Sequence, residues 1–118
     1  MEVTRDNFEE ALSKLESILP SAQFASLDLE FTGIKGKPET FSDSLQERYS
    51  NMRHIATTFK IIQVGISLFV RQDDTLQCFP FNFYVFPDDP KSRIVLGASA
   101  MHFLKGHNMD FNLSLIHI

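Results

Sequence analysis

Asp28 and Glu30 are the residues of this chain whose types and spacing best suit chemistry. They lie in the segment 24–34, which reads FASLDLEFTGI and alternates in polarity as a strand does. Because successive side chains of a strand point to opposite faces, the two carboxylates share one face, roughly 6–7 Å apart. Their repulsion is on the order of 2–3 kcal/mol at an effective dielectric of about 20. Such a face is expected to open to water, to a basic partner or to a divalent cation, whose preferred ligands are carboxylate oxygens.

A simpler interpretation of the same pair stays open. An isolated Asp-x-Glu on a strand is more often a solvated edge, or an ion pair, here with Arg48 or Lys35. The other acidic pairs of the chain, at 73–74 and 88–89, are predicted to be ordinary solvated turns.

Length, composition and charge limit the classes of protein to consider. The 118 residues suit one small domain or part of a larger one, and 43% hydrophobic residues are enough for a core. The net charge of −4 gives no basic surface, so a polyanionic substrate would need metal ions or further protein. Cys78 is the single cysteine; it has no disulfide partner in the chain, which fits a reducing intracellular compartment. No apolar run is long enough to cross a bilayer, and the start lacks a signal-peptide pattern.

The hydrophobic pattern predicts an α/β (α+β) fold, a mixed sheet flanked by helices. In chain order we expect a helix from Thr4 or Asp6 to about Leu19, the acidic strand at about 23–31 and a second helix at about 43–58. The inward-facing residues of that second helix are predicted to be Leu45, Tyr49, Met52, Ile55 or Ala56, and Phe59. Strands at 60–70 and 76–86, joined by a turn at 72–75, are followed by a short strand near 93–96 and a helix near 99–105 capped by Ser99.

The two long apolar strands form an antiparallel hairpin in this prediction, and the acidic strand pairs with it. Gln63 and Gly65 lie on the less apolar face of their strand. That face could leave room beside Asp28 and Glu30.

The acidic segment also resembles a known motif. Residues 28–34, DLEFTGI, are similar to the first motif of the DEDD 3′→5′ exonucleases in its poly(A)-specific ribonuclease form, D-x-E-F-[ST]-G-[IL]. Further segments fall in that family's order and spacing: 1–8, 47–49, 63–65, 82–87, 99–104 and 109–112. The chain is therefore identified as a member of this family, with residues 1–112 as the N-terminal portion of an RNase H-like exonuclease domain. Residues 113–118 do not resemble the family's continuation and are expected to be a non-native or truncated tail.

The resemblance implies a site and a cofactor. In this family two Mg²⁺ ions, or Mn²⁺ in their place, are bound by four carboxylates. Asp28 and Glu30 would be catalytic residues and metal ligands. Four apolar residues would contact the substrate, although each could instead be a plain core residue: Phe31, Ile34, Met101 and Phe103. The family's general-base histidine would lie beyond residue 118, so none of the chain's own histidines is expected in that role.

Two functions remain open at this point. The resemblance implies a Mg²⁺-dependent 3′→5′ exoribonuclease that trims single-stranded RNA 3′ ends, by deadenylation or by trimming of piRNA precursors, present here as a fragment inactive alone. The alternative is a non-enzymatic fragment that only binds RNA or protein. The family also implies a homodimer of the complete protein and a nuclear or cytoplasmic location, or the mitochondrial surface if a C-terminal anchor follows.

Overall fold

A mixed β-sheet forms the centre of the computed structural model, which describes residues 1–85, 89 and 91–113. Within those residues the strands are β1 (Glu2–Val3), β2 (Ala22–Phe31), β3 (Ile61–Gln72) and β4 (Thr75–Tyr84), and the helices are α1 (Phe8–Ile18), α2 (Leu45–Thr58) and α3 (Ala98–Gly106). The strand order is β1-β4-β3-β2, with β1 parallel to β4 and the other pairs antiparallel. The predicted sheet with flanking helices is confirmed.

The β3–β4 hairpin closes as predicted around residues 73–74, where Gln72 pairs with Thr75. Asp73 has φ 54°, a left-handed conformation that aspartate tolerates better than most residues. The acidic strand β2 pairs with β3 and forms the edge of the described sheet. Its apolar residue Leu27 is accordingly 67% exposed.

The main core lies between α1 and the β1–β4 side of the sheet. Val3, Ala11 and Phe81 are almost completely buried there. Several partly buried side chains surround them: Met1, Leu15, Ile18, Phe79 and Phe83. The start of the chain is tied to β4, because the terminal amine donates to the carbonyl oxygen of Pro80 at 2.7 Å and Asn82 N–H donates to that of Met1 at 2.8 Å. The short strand β1 is thereby held in the sheet and its apolar side chain in the core.

Helix α2 begins at a capping box in which Ser44 and Glu47 each bond to the other's backbone N–H. The prediction that its apolar stripe faces inward is wrong for Leu45, Tyr49 and Met52, whereas Ile55 and Phe59 are half-buried. Leu45, Tyr49 and Met52 are 87%, 62% and 59% exposed. Polar contacts with the preceding loop also hold the helix, because the Asn51 side chain accepts from Lys37 N–H at 2.9 Å and donates to the Lys37 carbonyl oxygen at 3.0 Å.

Two predictions near the end of the chain are also wrong. Residues 93–96 form no strand, and the predicted last helix is present but has Gly97 rather than Ser99 as its N-cap. One backbone hydrogen bond holds this segment against the end of β2, because Gly97 N–H donates to the carbonyl oxygen of Thr32 at 2.7 Å. The segment forms no series of paired residues with β2. The predicted end of the last long strand at Phe86, and residues 114–118 of the predicted tail, lie outside the described residues.

Helix α1 is shorter than the predicted 4–19 because short 3₁₀ turns at Arg5–Asn7 and Leu19–Ser21 flank it. Among the described helices, none has the length and apolar character required to span a membrane.

Candidate active site

The two acidic side chains share one face of β2, as the alternation predicts. Asp28 pairs with Gly65 and Glu30 pairs with Gln63 on β3. The Asp28 side chain is exposed and that of Glu30 is half-buried. The predicted shared face is confirmed, whereas binding of metal by the two carboxylates stays a prediction.

Gly65 separates Asp28 from the polar side chain of the next strand. Asn82 on β4 pairs with Gly65, so Asp28, Gly65 and Asn82 form one row across the sheet. A Cβ atom on Gly65 would lie 3.5 Å from Asp28 Cβ and 3.5 Å from Asn82 Oδ1. The glycine therefore leaves a gap beside Asp28 on the face that carries both acids.

The neighbouring row carries a second set of polar groups. Glu30, Gln63 and Tyr84 follow one another across β2, β3 and β4. Burial, followed by hydrogen bonding to Glu2, raises the pKa of Tyr84 to about 12. The phenol consequently stays protonated and can act as a donor at neutral pH, beside the carboxylate of Glu2.

The electrostatics of this face favour a cation. Burial raises the pKa of Glu30, the negative charge of Asp28 raises it further, and His107 partly offsets both effects. Within the part of the chain that the structure describes, the side chains of Asp28 and Glu30 form no hydrogen bond or ion pair. The alternative ion pair with Arg48 is not formed, because that guanidinium donates to the carbonyl oxygens of Thr40 and Asp43.

These two carboxylates fit a hard divalent cation, which binds oxygen ligands and would neutralise their repulsion. They are not a complete site. Among the described residues, no group of three or more His, Cys, Asp or Glu side chains is placed to hold a metal ion.

The raised pKa of Glu30 leads to a pH prediction. A carboxyl whose pKa is higher in the folded than in the unfolded chain binds its proton more tightly when the chain is folded. The free energy of unfolding therefore falls as the pH rises from 4.5, the ordinary pKa of a glutamate, through the higher pKa of Glu30 in the folded chain. We expect Glu30→Gln to remove this loss, so that the variant gains stability over the wild type between about pH 4 and about pH 7. Urea unfolding at both pH values measures the difference.

Glu16→Gln is the matched control for that change in net charge, since Glu16 is exposed on α1. An equal gain in both variants, or no gain for Glu30→Gln, would contradict the assignment of the penalty to the acidic face.

Thr32 fixes the end of the acidic strand and is a residue that the sequence reasoning did not single out. It is completely buried. Its N–H donates to the Lys60 carbonyl at 2.8 Å, its hydroxyl accepts from Lys60 N–H at 3.0 Å, and its carbonyl accepts from Gly97. These bonds join β2, the start of β3 and the start of α3. The only signal in the sequence was the Ser-or-Thr position of the resembled motif.

The predicted substrate-contacting residues lie at the end of β2 and along α3. Phe31 is half-buried, Ile34 is 65% exposed, Met101 is half-buried and Phe103 is 59% exposed. The ring of Phe103 lies with its centroid 4.1 Å from that of His107, whose charge acts on Glu30. The structure thus links Phe103 to the acidic face. Contact of all four residues with a substrate stays a prediction.

Comparison with known proteins agrees with this geometry. The profile described as CAF1 family ribonuclease matches residues 3–116. The chain belongs to the CAF1 family of ribonucleases. The domain boundary at residue 112 and the non-native or truncated tail at 113–118 stay predictions.

Several known ribonucleases resemble the chain over nearly its whole length. It is 34% identical to the poly(A)-specific ribonuclease PARN of Danio rerio, over 95% of this chain and 19% of that protein. It is 36% identical to PARN of Arabidopsis thaliana, over 93% and 18%, and 31% identical to the pre-piRNA 3′-exonuclease trimmer of Bombyx mori, over 95% and 23%. The predicted kinship with both groups is confirmed, and the chain spans about a fifth of the length of these relatives.

Solved structures of Pop2 proteins share the fold. Pop2p of S. pombe, described as its Mg²⁺- and Mn²⁺-bound form, superposes with a TM-score of 0.70 at 19% identity, over 93% of this chain and 44% of that one. The RNase domain of yeast Pop2 gives a TM-score of 0.62 at 20% identity, over 94% and 39%. At these identities the likeness supports the fold alone.

Proposed function

We propose that this chain carries the first two metal-binding carboxylates of a Mg²⁺-dependent 3′→5′ exoribonuclease that trims RNA 3′ ends. The observation that carries the proposal is the acidic pair on one face of β2, whose carboxylates have no hydrogen-bond or ion-pair partner among the described residues. Membership of a ribonuclease family and the names of the relatives agree with it.

Asp28 and Glu30 would hold the metal, either Mg²⁺ or Mn²⁺. When bound, the ions supply Lewis-acid stabilisation of the charge that develops at the phosphate and at the leaving 3′ oxygen, and they activate the attacking water. The chain's own contribution is positional. Strand β2 is paired along its length with β3 and tied down at Thr32, so it presents both carboxylates from a rigid element.

The bound RNA would run from this acidic face toward α3. Phe31 and Ile34 would pack beside the terminal nucleotide, and Met101 and Phe103 would contact bases, since apolar and aromatic side chains offer sequence-tolerant stacking surfaces. The chain carries a net charge of −4, so recruitment of a polyanion at this face depends on the metal.

The remaining ligands are expected from parts of a longer protein. The described residues offer no third acid at the site, and the relatives are about five times longer than the chain. We therefore propose that residues 1–118 alone are inactive and bind Mn²⁺ only weakly. The same incomplete ligand set favours the second candidate, a non-enzymatic module that binds RNA or protein.

For the complete protein we propose the properties that the resemblance implies. Its substrate would be the 3′ end of a single-stranded RNA, either a poly(A) tail or a piRNA precursor, and it would form a homodimer. Its location would be the nucleus or cytoplasm, or the mitochondrial surface if a C-terminal anchor is present.

A trimming assay tests the proposal. The full-length protein that carries these residues is incubated with a 5′-labelled oligoadenylate in Mg²⁺, and the products are separated by length. A 3′→5′ exonuclease produces a ladder that shortens one nucleotide at a time. Internal cleavage, or binding of the oligonucleotide without any shortening, would refute the exonuclease assignment, and the second outcome would support the binding module.

A further inference from the structure

Gly65 occupies a position where the fold itself does not require glycine. It lies in the middle of β3, between Val64 and Ile66, in a strand of otherwise mainly β-branched and apolar residues. No glycine of the described chain has a positive φ, and a Cβ at position 65 would meet its neighbours at 3.5 Å, an ordinary van der Waals distance. A glycine inside a strand costs stability and often marks close approach of a ligand. Gly65 therefore leaves free the space beside Asp28 that a Cβ atom would occupy.

The hydrogen bonding of Asn82 determines which of its atoms faces that gap. Its Nδ2 donates to Glu2 Oε1 at 2.8 Å, so the amide nitrogen is turned toward β1. The amide oxygen Oδ1 is the atom that lies 3.5 Å from the Cβ position of Gly65. Glu2 thus orients Asn82 so that an acceptor, rather than a donor, borders the gap.

The side-chain groups that border the gap are hydrogen-bond acceptors. They belong to Asp28, whose Cβ lies 3.5 Å from the Cβ position of Gly65 and whose side chain ends in a carboxylate, and to Asn82, whose amide oxygen lies 3.5 Å from the same position. Such a gap suits a group with O–H donors. A neutral amide oxygen binds a metal cation more weakly than a carboxylate does, but it readily accepts a hydrogen bond from a hydroxyl group.

We propose that Gly65 and Asn82 recognise the 2′-hydroxyl of the terminal ribose of RNA. The absence of a side chain at Gly65 admits the sugar edge beside Asp28, and Asn82 Oδ1 accepts the hydrogen bond. The 2′-hydroxyl is the group that distinguishes RNA from DNA at a given site. Asn82 is thereby a specificity-determining residue, held in register by Glu2. The inference rests on the proposed function, because it requires an RNA 3′ end at the acidic face.

The test uses mononucleotides, so it does not depend on turnover. The ¹⁵N-labelled full-length protein that carries these residues is titrated with adenosine 5′-monophosphate and with its 2′-deoxy analogue in the presence of Mg²⁺. We expect shifts of the Asn82 side-chain amide and of the Gly65 and Asp28 amides, and about three- to tenfold tighter binding of the ribonucleotide, the range that one hydrogen bond supplies.

Variants separate recognition from a structural role. Asn82→Ala is expected to bring the affinity ratio of the two nucleotides to about one, by weakening the ribonucleotide while leaving the deoxynucleotide unchanged. Gly65→Ala, whose Cβ the surroundings accommodate, is expected to keep the fold and weaken the ribonucleotide by obstructing the gap. Gly106→Ala is the matched control, since a Cβ there meets nothing within 4 Å.

A ratio near one in the wild type, or an unchanged ratio in Asn82→Ala, overturns the inference, and so does a lack of detectable binding of either nucleotide. Mn²⁺ bound near Asp28 broadens the amide signal of that residue. If Asn82→Ala reduces this broadening while the affinity ratio of the two nucleotides stays unchanged, Asn82 contacts metal-bound water and the inference is also wrong. A trimming assay separates failure of the inference from failure of the proposed function. Equal trimming of oligoadenylates that end in ribose or in 2′-deoxyribose would overturn only the inference. No trimming of either oligoadenylate would overturn the proposed function.

Discussion

Asp28→Asn is expected to lower the rate of RNA trimming by the full-length protein by about a thousandfold or more. The change keeps the shape of the side chain and removes one negative charge from the acidic face. A bound metal contributes several kcal/mol of transition-state stabilisation, and each loss of about 1.4 kcal/mol reduces the rate tenfold. Single-turnover shortening of a 5′-labelled oligoadenylate measures the effect, since it excludes product release.

The matched control is Asp74→Asn, the same chemical change in the exposed hairpin turn between β3 and β4. It is expected to trim at the wild-type rate. The stability of Asp28→Asn should not fall, because the substitution removes the repulsion that raises the pKa of Glu30. Wild-type trimming by Asp28→Asn would therefore exclude the metal-ligand role, and a loss of activity that accompanies unfolding would not support it.

Phe81→Ala is expected to cause the largest loss of stability, about 3–5 kcal/mol in the free energy of unfolding. The side chain is 1% exposed and packs with Val3 and Ala11 in the cluster between α1 and the sheet. Its removal leaves a cavity bounded by a helix and two strands, which cannot collapse without moving one of them. Urea unfolding of the 118-residue chain, followed by circular dichroism, measures the change in midpoint and slope.

Phe41→Ala is the control of equal size. Phe41 is fully exposed, at 105% of the reference area, in the loop before α2. Its truncation should change the free energy of unfolding by less than about 0.5 kcal/mol. Equal effects of the two substitutions would mean that the α1 cluster is not the main core of the chain.

The geometry of the acidic pair could be predicted because it is local. Residues two apart on a strand share a face whatever the rest of the chain does, so Asp28 and Glu30 needed no knowledge of their neighbours. The β3–β4 hairpin was predictable for a similar reason, since two long apolar runs flank a four-residue polar turn at 72–75.

The failures of prediction concern contacts between distant segments. The apolar spacing of Leu45, Tyr49 and Met52 specifies which side of α2 they occupy but not whether another surface covers that side, and here they are exposed. The segment 93–96 has strand-forming residues, but no strand of the described sheet pairs with it. Its neighbour Gly97 makes one backbone hydrogen bond to Thr32.

By itself, the sequence determined that this chain has a strand with two carboxylates on one side, within an order of long strands and helices that the structure confirms. Only the tertiary structure decided which groups lie beside those carboxylates. Gly65 and Asn82 meet Asp28 through the registers of β3 and β4, and Glu2 reaches Asn82 from the other end of the sheet, 80 residues earlier in the chain. Registers depend on the summed packing of whole strands, which no local pattern of residues contains.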